Sequence, residues 1–236
     1  MVQGQLARQR SLVGILALYR STIGMKVAMA ATGVLLYGFV LLHMWGNLKI
    51  YAGREYFNHY AEFLREVGAP FFGHEQVLWI LRVVLVAAVI LHFYSAAVLT
   101  LRDRASRPVG YAVKKDLATS FASRTMIWGG IIVALFLTYH LLDLTTGTLN
   151  PNFRQGDPYN NLIASFHVVP VALFYILGVA ALGVHLFHGV WSMFQTIGWN
   201  GPKIDKVWRA LAVLTACVFV AGNVSIPVSI LAGLVK

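Results

Sequence analysis

The chemistry of this chain is concentrated in its histidines. Of eight, His59, His74 and His167 fall in hydrophilic stretches or at the end of an apolar one. His43, His92, His140 and His185 are distributed one to each of the first four of five long apolar runs, each about two-thirds of the way along its run in chain order. Successive membrane-crossing helices run in opposite directions, so a constant position in chain order becomes an alternating depth. His43 and His140 should share one level, and His92 and His185 another. Two neutral imidazoles facing each other at one depth suit the two axial positions of a b-type haem, with the porphyrin in an apolar slot. Ionisable side chains inside a bilayer are expensive and tend to be functional. Four of them at alternating depth therefore argue against simple hydrogen-bonding glue between helices.

The elements that must position these residues follow from composition. Of 236 residues, 58% are hydrophobic and 12% charged, about half the charged share of a soluble domain. A spanning helix needs roughly 20 mostly apolar residues, because the hydrocarbon core cannot solvate free backbone groups. Five segments qualify: about 25–48, 77–101, 125–146, 168–194 and 207–234. They are too long and too uniformly apolar for a strand barrel. The expectation is an all-α membrane protein, five transmembrane helices in a haem-binding bundle, with residues 1–236 as a single domain. Pro170 falls in the first turn of the fourth span, where a missing N–H costs little, while Pro227 should kink the fifth. Residues 54–67 carry Tyr56, Phe57, Tyr60, Phe63, Leu64 and Val67 at helical spacing and read as an amphipathic helix lying on the outer face. The second outer loop, 147–161, has the Gly, Pro, Asn and Asp content of irregular structure. Cys217 is alone, which excludes an internal disulfide, a CxxC metal clasp and a four-Cys iron–sulfur site.

The charge balance, 19 Lys plus Arg against 9 Asp plus Glu, is read as sidedness rather than as a nucleic-acid surface in so apolar a chain. The N-terminal arm through Lys26, the loop 102–124 and the loop 203–209 hold 13 basic residues, whereas Lys49, Arg54, Arg65, Arg154 and Lys236 make five on the other side, with six of the nine carboxylates. The N-terminus is expected inside and the C-terminus outside. No small-residue cleavage pattern follows Arg8, Arg10 and Arg20, so the arm reads as part of the mature protein. His43 and His140 then form an outer pair, His92 and His185 an inner one. Gly33 and Gly130 each lie ten residues before the histidine of their span, about 15 Å along a helix. Both should sit level with the inner pair, thinning spans that do not ligate there.

At these residues the chain resembles the membrane anchor of succinate:quinone oxidoreductases and quinol:fumarate reductases, of the single-subunit, five-span, two-haem type. The likeness runs over nearly the whole chain from the first span on. It is carried by Thr32-Gly33 with His43, by His92 in Leu91-His92-Phe93-Tyr94, and by Gly130 with His140. The strongest local match is His185-Leu186-Phe187-His188-Gly189-Val190-Trp191-Ser192, similar to the family's H-x-x-x-G-x-W-S stretch. The resemblance implies two haem b groups and a quinone, with menaquinone favoured. It also implies a bacterial cytoplasmic membrane and partners in a respiratory complex II of the tricarboxylic acid cycle: a flavoprotein subunit, and an iron–sulfur subunit docking on the inner face. A higher oligomer of that complex stays open. Electrons would pass from the iron–sulfur subunit through the inner haem (His92, His185) to the outer haem (His140, His43) and quinone; nothing in the chain handles succinate.

Four further expectations attach to the resemblance. His188, three residues after His185, competes for the inner ligand place and is read as a neighbour hydrogen-bonded to a propionate. Arg82, ten residues before His92 on an inward-running span, is read as a partner for an outer propionate or the quinone, against plain snorkelling to the interface. A quinone site is expected outside among Asn47, Lys49, His59, His74, Glu75 and Asp143; Glu75 is the nearest match to the family carboxylate, against the reading of a solvated helix-start acid. An inner site near Lys26, Ser123 and Trp191 stays open. Two other functions compete: a haem-free transporter or assembly protein with structural histidines, and a cytochrome b anchor for another dehydrogenase, such as a hydrogenase or formate dehydrogenase.

Overall fold

The computed structural model describes residues 17, 19–106 and 121–236, apart from the side chains of 121–124. Arg8, Arg10, most of the 102–124 loop and the Ser123 side chain lie outside the described residues. Among those described there is no strand. The elements are α1 (Thr22–Asn47) with a 3₁₀ turn (Leu48–Ala52), α2 (Arg54–Glu66), α3 (Gln76–Ala105), α4 (Phe121–His140) with a π turn (Leu141–Thr145), α5 (Pro158–Phe166), α6 (Val169–Thr196) and α7 (Asp205–Leu231). Five of these, α1, α3, α4, α6 and α7, are long and apolar enough to cross a membrane.

Local chemistry sets the ends. Ser21 caps α1 by accepting from the Gly24 N–H at 3.0 Å. Pro170 sits in the first turn of α6, and Pro227 lies inside α7, which continues to Leu231. The amphipathic segment forms α2 at Arg54–Glu66, within a residue of its expected bounds. The expectation of an irregular 147–161 loop is overturned in its last part, where α5 begins at Pro158. Asp157 caps it, its side chain accepting from the Asn160 N–H, and proline occupies the first turn. Tyr159, Leu162 and Phe166 then bury the helix against the bundle.

α6 and α7 form the centre. A Cβ on Gly183 would overlap Val220 of α7, and one on Gly178 would overlap the Phe136 ring of α4, so glycine permits both close approaches. α1 packs chiefly on α3 and α4 chiefly on α6. Outward faces carry exposed Trp79, Ile80, Val83, Leu177 and Leu214, the apolar surface a hydrocarbon environment requires. α2 and α5 cap one end, here the loop end. Asn58 of α2 donates to Asp157 and accepts from the Tyr159 N–H, Arg54 pairs with Asp157 at 2.6 Å, and the Tyr159 hydroxyl donates to the carbonyl of Lys236. The C-terminus is thus held at the loop end.

Candidate haem and quinone sites

The four span histidines meet as two pairs. His43 of α1 faces His140 of α4, ring centroids 5.8 Å apart and planes at 87°. His92 of α3 faces His185 of α6 at 6.2 Å and 63°. Two imidazoles bound from opposite sides to one metal at about 2.0 Å per nitrogen would place their centroids about 6 Å apart. Aromatic packing alone reaches the same distance. It does not by itself produce two histidine pairs at two levels of one apolar bundle.

The levels follow from α1. A Cβ on Gly33 would lie 3.5 Å from Cε1 of His92, so Gly33 stands beside the second pair, ten residues and about 15 Å of helix rise from His43. Gly130 has nothing within 4 Å of its Cβ position. Its neighbour Gly129 lines an apolar groove of about 250 Å³ with Trp128, Ile132, Val184 and His185. α3 runs on to Ala105, so His92 lies near its middle, whereas His140 ends the regular part of α4.

The surroundings select ring nitrogens. Nδ1 of His92 lies 3.2 Å from both the Met29 carbonyl and the Thr32 hydroxyl, and that hydroxyl donates to Ala28 O at 2.8 Å. With Nδ1–H donated to the carbonyl, Nε2 is left as the free electron pair, the usual arrangement behind a ligating imidazole. Thr32-Gly33 thus has a physical role: an anchor for the ring and space beside it. Phe39 stacks on His43 at 5.3 Å, and Tyr175 lies edge-on to His140 at 5.9 Å. Buried Nδ1 atoms of His140, His185 and His188 have no hydrogen-bond partner. Two facing imidazole pairs with unpartnered ring nitrogens fit a bis-histidine haem.

His185 is the residue facing His92; His188 lies one face over with its ring edge-on to Trp191 at 6.2 Å. Trp191 donates to Asp205 at 2.9 Å and is covered by the Arg209 guanidinium at 3.9 Å, while Lys26 is exposed. Arg82 is half-buried with its guanidinium over Trp79, one turn nearer the loop end, at 4.7 Å.

The expected quinone cluster is divided. Glu75, in the left-handed region with φ 63°, pairs with Arg65 at 3.1 Å, and His74 contacts Glu62 at 3.1 Å. His74, then Arg65, hold the Glu62 carboxyl below its ordinary value. Lys49 sits over the rings of Trp45, Tyr60 and Tyr56 at 3.9, 4.8 and 5.2 Å. Asn47, one helical turn beyond His43, is half-buried, and His59 is exposed. Asp143 is buried, accepting from Ser165 at 2.6 Å and Tyr175 at 2.8 Å. Sequence reasoning missed both of those partners; Ser165 lies on α5, whose first residues fall in the expected loop.

A helical membrane protein with five described helices long and apolar enough to cross a bilayer, and with two facing histidine pairs between them, is the class that this fold and site define. Residues 100–224 match the family described as succinate dehydrogenase/fumarate reductase transmembrane subunit. That is more than half of the chain, and the chain belongs to this family. It is therefore a membrane subunit of a succinate dehydrogenase/fumarate reductase complex, whose other subunits are its partners. Membership removes the alternatives of a transporter, an assembly protein and an anchor for another dehydrogenase. No curated protein and no solved structure matches the chain.

Proposed function

We propose that the chain is the two-haem cytochrome b anchor of its complex, carrying electrons between an iron–sulfur subunit and a membrane quinone. The observation that carries this reading is the pair of facing histidine pairs, 5.8 and 6.2 Å between centroids, about 15 Å apart along the bundle. His92 and His185 would hold one haem, and His43 and His140 the other. Haem bound by two neutral imidazoles supplies one-electron transfer without an open coordination position.

The protein's own residues do the rest. Met29 and Thr32 fix the tautomer and rotation of His92; Phe39 and Tyr175 limit the swing of His43 and His140. The apolar groove beside His185 excludes water. Arg82 is placed on the loop-end side of His92 for a propionate. His188, unpartnered at Nδ1, is a donor to a propionate of the other site. The basic arm and loops face the cytoplasm and the iron–sulfur partner, with the loop end outside. Quinone binds at the loop end beside Asn47, one helical turn beyond His43, while the Glu75–Arg65 and His74–Glu62 contacts brace α2 against the start of α3.

An optical spectrum of the purified chain, dithionite-reduced and then converted to the pyridine haemochrome, tests the reading. The expected outcome is bis-histidine b-type bands at two haems per chain. Absence of haem from protein that retains its helical circular dichroism overturns it.

A further inference from the structure

The two histidine pairs are oriented by different means. Nδ1 of His92 is held by the Met29 carbonyl, whereas Nδ1 of His140 has no hydrogen-bond partner among the described residues. Rotation of an imidazole about its Cβ–Cγ bond has broad wells of its own, so packing must set the plane of the His140 ring. Phe136, one turn earlier on α4, stands 6.1 Å from that ring at 38°, and Tyr175 of α6 lies edge-on to it at 5.9 Å and 67°. Gly178 leaves the space that Phe136 fills.

Tyr175 is held in turn by a polar latch drawn from three elements. Its hydroxyl donates to Oδ2 of Asp143 at 2.8 Å, and the Ser165 hydroxyl of α5 donates to the same oxygen at 2.6 Å. Asp143 lies in the π turn after His140, where the Thr146 N–H reaches back five residues to the Leu141 carbonyl. Single π turns inside α-helices recur at functional sites. Asp143, Ser165 and Tyr175 are 2%, 4% and 5% exposed, and a buried hydrogen-bond network rigidifies the groups it joins. The bond to Asp143 keeps the tip of the Tyr175 ring from swinging about Cα–Cβ. Phe166 of α5 and Phe136 of α4, at 4.8 and 5.4 Å and standing at 69° and 87°, fix the plane of the same ring.

We infer that Tyr175 and Asp143 are positioning residues for His140: Asp143 holds Tyr175, and Tyr175 holds the His140 ring nearly perpendicular to that of His43, at 87°. This rests on the two-haem reading of that pair. Among the described residues Asp143 is hydrogen-bonded to neither histidine, so it acts through Tyr175. The other pair, at 63° and anchored through Met29 and Thr32, is independent of the latch.

The test is low-temperature electron paramagnetic resonance of the oxidised, purified complex, with haem counted as the pyridine haemochrome. In a low-spin ferric haem between two imidazoles the largest g value is highest when the ligand planes are perpendicular and falls as they turn toward parallel. The signal that survives in His185→Ala belongs to the His43–His140 pair. In Tyr175→Phe that signal should move to lower g or broaden beyond its wild-type linewidth, with two haems retained and the other signal unchanged. Asp143→Ala should change the same signal in the same way, and combining it with Tyr175→Phe should add nothing further. Asp143→Asn should keep the wild-type signal, because its amide oxygen still accepts from Tyr175. An unmoved signal in Tyr175→Phe or Asp143→Ala, or additive shifts in the double variant, overturns the inference. Asp143→Asn matching Asp143→Ala would show a charge effect instead of positioning and overturns it too. If Asp143→Ala does not assemble, Tyr175→Phe, smaller by one oxygen, decides together with Asp143→Asn. Lack of any low-spin haem signal in the wild type would instead refute the two-haem reading itself.

Discussion

Substitution of Gly33 offers a graded probe of the His92–His185 site. The Cβ of Gly33→Ala would rest 3.5 Å from Cε1 of His92, ordinary van der Waals contact. Replacing a mid-helix glycine also removes up to ~1 kcal/mol of unfavourable helix propensity. Alanine should therefore be neutral or slightly stabilising. Valine differs because its two γ carbons reach ~1.5 Å further, and β-branched residues in helices have essentially one χ1 rotamer, leaving little room to turn away. A γ carbon directed at the ring would come within about 2.5 Å, so the imidazole must move off the Met29 carbonyl and away from His185. Overpacking of this kind costs about 1–3 kcal/mol, a roughly 5- to 150-fold loss in the population holding the paired geometry. The assay is haem content per chain with reduced-minus-oxidised spectra of each transition. The expected result is two haems in Gly33→Ala, and in Gly33→Val selective loss or weakening of one while the His43–His140 haem stays. Gly33→Val with two unperturbed haems would refute the placement of Gly33 against His92.

Alanine at His43 or His140 should remove one haem, and alanine at His92 or His185 the other, whereas His188→Ala should keep both; pyridine haemochrome counts decide, and loss of a haem in His188→Ala alone would exchange its role with His185. Glu75→Gln should leave quinone reduction within about twofold. The Arg65–Glu75 pair, with side chains 22% and 32% exposed, is worth at most ~1 kcal/mol, and a steep loss of quinone turnover with unchanged haem would instead make Glu75 a quinone ligand. Asp157 combines opposing effects: burial raises its carboxyl, but donation from Asn58 and the Asn160 N–H and the charge of Arg54 outweigh this and hold it below the ordinary value of 3.8. A depressed folded-state value means stabilisation that is present above 3.8 and lost as pH falls through the folded value. Protection of the Tyr159 and Asn160 amides, taken relative to the intrinsic exchange rate at each pH, should fall in acid in the wild type and be already low at neutral pH in Asp157→Asn; equal protection in both at neutral pH would refute the role.

The five spans were readable because bilayer crossing imposes a length and an apolar content that few other segments meet. The alternation of histidine depth was readable because antiparallel helices convert chain position into depth, and the two facing pairs meet that expectation. Less legible was whatever depended on contacts between elements. α5 was hidden in loop-like composition, although Asp157-Pro158 is a cap followed by a first-turn proline and could have been recognised. The π turn after His140 leaves no pattern in sequence. Glu75 and His74 looked like free polar groups near the His43 pair, but a turn between α2 and α3 brings them to Arg65 and Glu62 on the same helix end. Asp143 was recognised as a polar residue of that region, while its burial depends on Ser165 and Tyr175 arriving from two other helices.

The pairing also ties the proposed sites to folding. α1 packs on α3, and α4 packs on α6. His43 and His92 come from the first of these helix pairs; His140 and His185 come from the second. Each proposed haem therefore bridges the two helix pairs, never two helices within one pair. Without that bridge, α1 meets α6 and α7 through the Tyr37–Thr215 hydroxyl contact and through apolar packing such as Met44 against Gly222 and Phe219. In a bilayer such packing has no hydrophobic drive, because lipid tails are as apolar as the side chains they replace. A ligand bound only by the assembled bundle stabilises it in proportion to the logarithm of its free concentration over its dissociation constant. Two haems at two levels would thus fix both the approach of the helix pairs and their rotation, a constraint that one level of contact could not supply.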